Sequence, residues 1–255
     1  MAQMNIKVGV KNLKDNTNIL DIKVPAKLKE RKLTGIDFFD TALGGGGFVP
    51  SQVTMLTGTP GAGKTTMVMQ LADSITRQGH ICLFNTGEES LYQTAMVAER
   101  LKITKGFICG QDVFVDDLLT KADAMRKANP TKQVFVLQDS LPTLNDGFYK
   151  DGGTTGGTPI RVCEKLVNWA KDNYGIVMFI NHVSKSGEFV GKNTVKHAID
   201  THVQLFIDED KKSETYGERL LGVTKNRFGC AGKTMILGLG KAGLFEKGEI
   251  SYSKE

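Results

Sequence analysis

The chain is 255 residues long, enough to bury one large core or one core with a small appendage. Lys and Arg number 33 against 28 Asp and Glu, a net charge of +5 that suits a polyanionic partner without requiring one. Cys82, Cys109, Cys163 and Cys230 stand far apart, with no Cys-x-x-Cys pair and no matched histidines for zinc, and no apolar run reaches the length of a membrane span.

The start, Met1-Ala-Gln-Met-Asn-Ile-Lys7, lacks the apolar segment of a signal peptide. With the scattered cysteines this gives the expectation of a soluble, cytoplasmic protein with no membrane partner. Residues 1–33 are mixed and polar, and read as an arm or small appendage before a core over 34–255. From Gln52 onward, short β-rich runs alternate with longer helical patterns. Residues 53–57 read as a strand, 64–77 as a helix, 80–85 as a strand, and 89–102 as a helix with Leu91, Ala95, Ala98 and Leu101 at helical spacing. A helix over 116–127 stops at Asn129-Pro130. Strands follow at 133–139 and 175–183, separated by a helix near 160–172.

These strands are apolar on both faces, which predicts an α/β fold with a mostly parallel twisted sheet covered by helices on either side. After Thr201 the spacing shortens. Strands at 201–208, 218–224 and 233–239 predict an antiparallel C-terminal extension of that sheet. The glycine-rich stretch 141–159 reads as a loop, and a loop of that length in a compact domain is usually functional.

Gly58, Thr59, Pro60, Gly61, Ala62, Gly63, Lys64 and Thr65, followed by Thr66, match the G-x-x-x-x-G-K-S/T pattern between a predicted strand and a predicted helix. The glycines let the backbone curl its N–H groups towards phosphate oxygens at a helix N-terminus. Lys64 supplies a point charge to the terminal phosphates, and Thr65 a hydroxyl for Mg²⁺, so the expected ligands are ATP and Mg²⁺. Asp139, closing Val134-Phe-Val-Leu-Gln-Asp139, is placed as the second metal group, although Gln138 interrupts an otherwise apolar run. Glu88 and Glu89, at the C-terminal end of the strand over 80–85, offer one carboxylate for the attacking water and one that starts the following helix.

Several stretches in this order resemble the RadA/Sms branch of the RecA superfamily. They are Leu33-Thr-Gly-Ile-Asp-Phe-Phe-Asp-Thr-Ala-Leu-Gly-Gly-Gly46, Phe84-Asn-Thr-Gly-Glu-Glu-Ser90, Asn181-His-Val-Ser-Lys-Ser-Gly187 with Val195-Lys-His-Ala-Ile-Asp200, and Lys225-Asn-Arg-Phe-Gly229. The resemblance covers about 33 to 248. It implies a RecA-like core and a DNA-dependent ATPase of recombination and repair, forming a hexameric ring or filament on single-stranded DNA in a bacterium or phage-infected cell. A recombinase or single-strand-binding protein would be a further partner. By the resemblance Glu88 is the water-activating acid, with Glu89 second. His182 is a polar sensor between γ-phosphate and DNA loops. Lys225 and Arg227, expected on one strand face, reach a neighbouring subunit's γ-phosphate.

The zinc module and Lon-like domain of RadA/Sms proteins have no counterpart here, so the chain resembles a stand-alone, phage-type core. Two loops are expected to meet DNA. The first carries Tyr149 and Lys150 with Arg161 nearby; the second, 184–197, carries Lys185, Lys192 and Lys196, with Phe189 or Tyr149 stacking on bases. The competing expectations are a replicative-type hexameric helicase core and a KaiC-like signalling ATPase that does not use DNA.

Overall fold

The computed structural model describes residue 6 and residues 17–149, 152–182, 192–230 and 233–251. A single sheet organises them. In chain order its strands are β1 (Val53–Thr57), β2 (Ile81–Thr86), β3 (Ile108–Gly110), β4 (Val134–Asp139), β5 (Ile176–Ile180), β6 (Thr201–Ile207), β7 (Arg219–Asn226), β8 (Lys233–Gly240) and β9 (Gly243–Ser251). Their spatial order is β3-β2-β4-β5-β1-β6-β7-β8-β9. Every pair from β3 to β6 is parallel, and β6 to β9 run antiparallel, as the change in spacing after Thr201 predicts.

The helices are α1 (Ala26–Lys29), α2 (Asp37–Ala42), α3 (Lys64–Arg77), α4 (Leu91–Arg100), α5 (Val115–Ala128), α6 (Thr158–Asn173) and α7 (Lys192–Ala198). Alternation along the strands divides the core in two. Leu56, Phe84, Phe135 and Met178 face α2 and α3, in a cluster with Phe39, Met67 and Leu71. Met55, Leu83, Val136 and Phe179 face the other way, against Leu118, Val162 and Leu166 of α5 and α6. No helix among the described residues is long and apolar enough to cross a membrane.

Element ends differ from the sequence expectation where local chemistry sets them. α4 starts two residues later because Ser90 caps it, its hydroxyl accepting from Gln93 N–H while the Gln93 side chain takes the Ser90 N–H. β5 stops at Ile180, and α6 begins within the presumed loop, at Thr158 with Pro159 in its first turn. The short edge strand β3, the last strand β9, and helices α2 and α7 had no counterpart in the expected elements. Before α2 the described arm holds a single 3-10 turn at Ile19–Asp21 and the one-turn α1, neither with a buried residue. The parallel order brings the ends of β1, β2, β4 and β5 to one edge, and the nucleotide loop leaves from β1 at that edge.

Candidate nucleotide-binding and catalytic site

The loop between β1 and α3 is built against β6. A Cβ on Gly58 would sit 1.6 Å from the Leu205 carbonyl oxygen, so only glycine lets the strands pass this closely. The Thr59 hydroxyl accepts from Ile207 N–H at 3.3 Å. Gly63, at φ +103, turns the chain into α3, whose first residue is Lys64. Lys64 is 9% exposed, and its Nζ donates to the Gly58 and Thr59 carbonyls at 3.0 Å each. No carboxylate among the described residues forms an ion pair with it. Burial lowers its pKa despite the charges of Asp139 and Glu88. A buried cation resting on loop carbonyls suits an incoming phosphate anion.

The Thr65 hydroxyl donates to Asp139 Oδ2 at 2.6 Å. Burial, with Glu88 and Glu89 adding to it, outweighs that bond and pushes the Asp139 carboxyl up to about 6. The described residues hold no cluster of three or more His, Cys, Asp or Glu suited to a metal. Thr65 and Asp139 offer two hard oxygens beside the phosphate loop. That set fits a magnesium ion, which keeps several waters and shares phosphate oxygens rather than filling an all-protein cage.

Glu88 follows β2 and reaches into the same cavity, of about 450 Å³, whose lining also includes Lys64, Thr65, Asp139, Ile180, His182 and Leu239. Its Oε1 receives two bonds at 2.6 Å, one from the Ser140 hydroxyl and one shared with His182 Nε2. Burial would raise the Glu88 pKa, but the Ser140 and His182 bonds and the nearby Lys64 charge hold it below the usual carboxylate value. Glu89 is not among the lining residues; its backbone N–H bonds Thr86 and its carbonyl takes Gln111.

Lys225 and Arg227 stand apart from this cavity and are not on one strand. β7 ends at Asn226, and Arg227 follows in a bend. Both still turn to one segment of their own chain. Lys225 Nζ donates to the Lys196, His197 and Ile199 carbonyls, closing the C-terminal end of α7. Arg227 Nη1 meets Asp200 Oδ1 at 2.8 Å.

Tyr149 lies edge-on to Phe148 with centroids 5.0 Å apart, and the Arg161 guanidinium, paired with Asp146, sits 4.6 Å from the Phe148 ring. Lys196 is on α7 and Lys192 opens that helix. Lys150, Lys185 and Phe189 lie outside the described residues. Sequence reasoning missed Ser140 and Leu239. The signal for Ser140 was its place directly after Asp139, whereas nothing local marks Leu239.

Known proteins are similar to this chain in sequence and in fold. A family model described as "ATPase: KaiC" matches residues 33–147. The DNA repair protein RadA of Rickettsia conorii is 33% identical over 245 residues, 91% of this chain and 52% of that protein. The DNA repair protein RadA of Mycobacterium tuberculosis is 33% identical over 202 residues, 78% of this chain and 39% of that protein. This chain thus spans about half, or less, of the length of these curated relatives. Among solved structures, an ATPase domain aligns at TM-score 0.70 and 16% identity, over 83% of this chain and 88% of its own. A KaiC-like protein of Pyrococcus horikoshii aligns at TM-score 0.64 and 19% identity, over 85% of this chain and 98% of its own. At such identities the two structures speak for the fold alone. The loop, the strand order and the RadA matches agree: the chain belongs to the RecA superfamily of P-loop ATPases and within it is RadA-like.

Proposed function

We propose that the chain is a DNA-dependent ATPase of the RadA type, which couples ATP hydrolysis at subunit interfaces to binding and movement on single-stranded DNA in recombination and repair. The observation that carries this reading is the 2.6 Å contact between Glu88 and His182. One carboxylate beside the phosphate loop is thereby joined to the residue from which the chain leaves β5 for the second candidate DNA loop.

In the proposed reaction Lys64 neutralises charge on the terminal phosphates. Glu88, with Oε1 held by Ser140 and His182, uses its other oxygen to orient the attacking water and take its proton. Magnesium, held at Thr65 and Asp139, would offset the negative charge of the phosphates. Arg227 and Lys225 would act in trans on a neighbour's γ-phosphate, exchanging their own-chain partners for it. Tyr149, Lys150, Lys185, Lys192 and Lys196 would follow the DNA backbone and its bases. Movement on DNA takes the form of branch migration in this reading.

The match to the KaiC family model favours a second reading, a KaiC-like signalling ATPase that does not use DNA. Steady-state ATP turnover with and without single-stranded DNA separates them. Stimulation supports the first reading, and equal rates at saturating DNA reject it. Migration of a three-strand junction, against unwinding of a tailed fork, then separates a branch-migration motor from a helicase core.

A further inference from the structure

Gln138 is a polar residue that follows four apolar ones, Val134 to Leu137, in β4, and it is fully buried. A buried amide persists there only if every polar atom finds a partner. Gln138 finds them all on functional segments. Its Oε1 accepts from Asn85 Nδ2 at 2.8 Å, directly across the β2–β4 ladder. Its Nε2 donates to the Ser140 carbonyl at 2.9 Å and to the Thr143 hydroxyl at 3.2 Å.

The direction of these bonds is fixed from both ends. The Asp112 N–H donates to Asn85 Oδ1 at 2.7 Å, so the Asn85 NH₂ must face Gln138. At the other end the Ser140 carbonyl can only accept, so the Gln138 NH₂ must face Ser140. Thr143 gives its own proton to the same carbonyl at 2.8 Å. With its carbonyl held by two donors, Ser140 presents its hydroxyl to Glu88. The turn also lies flat on the residue before Glu88. A Cβ on Gly87 would meet the Thr143 hydroxyl at 2.2 Å, and the Gly87 N–H donates to the Asp139 carbonyl at 2.8 Å.

We infer that Gln138, together with Thr143, is a positioning residue for Glu88: it fixes the Ser140 turn so that the Ser140 hydroxyl holds the carboxylate in its water-activating orientation. The inference rests on the reading of Glu88 as that acid. It explains why the strand ending in Asp139 breaks its apolar run at this one position. Neither Gln138 nor Thr143 lines the nucleotide cavity, so their influence on hydrolysis passes through Ser140.

The test measures ATP turnover and, separately, nucleotide affinity by calorimetry, on the full chain. Gln138→Met keeps volume and removes the bonds; Thr143→Val is a milder change at a partly exposed site. Both are expected to lower kcat about tenfold or more while nucleotide affinity stays within about twofold. Thr143→Ser, which restores the hydroxyl, is expected to recover most of the loss. Because Gln138 acts through Glu88, the double variant Gln138→Met/Glu88→Gln is expected to be no slower than Glu88→Gln alone. Wild-type kcat in both Gln138→Met and Thr143→Val overturns the inference, as does a loss in affinity rather than kcat. A further fall in the double variant, by the same factor as in the single, also overturns it. Wild-type turnover in Glu88→Gln overturns the underlying reading of Glu88, and the inference with it.

Discussion

Arg227→Ala separates a trans-acting residue from a structural one, because the two roles differ widely in size. In its own subunit Arg227 holds Asp200, whose side chain is 3% exposed and whose other oxygen accepts the Val53 N–H at 3.0 Å. Losing the guanidinium leaves that carboxylate with fewer donors. The arginine side chain is 49% exposed, so solvent screening keeps the loss to about 1–2 kcal/mol. For a chain of this size that is roughly a 2–8 °C fall in Tm. A residue completing a neighbour's site is worth about 10³-fold or more in turnover, or ~4 kcal/mol of barrier. Arg227→Ala is therefore expected to bind ATP normally, melt slightly earlier and hydrolyse about a thousandfold more slowly. Asp200→Asn removes the same ion pair but keeps the arginine, and is expected to share the Tm loss without the collapse in turnover. An excess of Lys64→Ala subunits is expected to restore some activity to Arg227→Ala, since a mixed interface joins one intact loop to one intact arginine. Mass photometry with ATP first establishes that mixed assemblies form. A loss of turnover no larger than the loss of folded protein, or no rescue in confirmed mixed assemblies, refutes the trans role.

Lys64→Ala is expected to lose measurable ATP binding by calorimetry, because among the described residues no other Lys or Arg lines the cavity; retained affinity would remove the phosphate-loop assignment. Asp139 carries a pH signature. Its folded pKa is raised from an ordinary 3.8 to about 6, so the folded chain holds a proton that the unfolded chain has lost. Stability from this group is present below about pH 4 and is lost as pH rises through about 6, a change of up to ~3 kcal/mol at 1.36 kcal/mol per unit. Nucleotide-free wild type is thus expected to lose Tm relative to Asp139→Asn between pH 4.5 and 7; a constant difference contradicts the buried carboxyl. Changing Lys185, Lys192 and Lys196 together to Ala is expected to flatten the salt dependence of single-stranded DNA binding, by about 0.7 in log–log slope for each phosphate no longer neutralised. An unchanged slope means these lysines do not touch the backbone.

The sheet was legible because Val53–Thr57, Val134–Asp139 and Ile176–Ile180 are short apolar runs between helical patterns, a signature that both faces are covered. β3 escaped because three residues carry no periodicity, and β9 because Glu246, Lys247 and Glu249 break any apolar alternation on an edge strand. The phosphate loop was legible from spacing alone. Glu88 and Glu89 are neighbours with equal local credentials, so only tertiary structure distinguishes them: Ser140 and His182, from two other strand ends, converge on Glu88. The own-chain partners of Lys225 and Arg227 were equally out of reach, since the α7 end and Asp200 meet β7 only through the sheet. Leu239 reaches the cavity from β8 in the same way.

The proposed coupling between the nucleotide cavity and DNA is tested most directly by measuring single-stranded DNA affinity of Glu88→Gln, by fluorescence anisotropy, with and without saturating ATP. That variant is expected to hold ATP without consuming it, so the nucleotide state stays fixed during the titration. Coupling free energies between linked sites are typically about 1–3 kcal/mol, so DNA is expected to bind about 5- to 150-fold more tightly with ATP. ATP affinity must then rise by the same factor when DNA is saturating. Equal DNA affinity in the two states, with ATP bound, would contradict the claim that this site works on DNA.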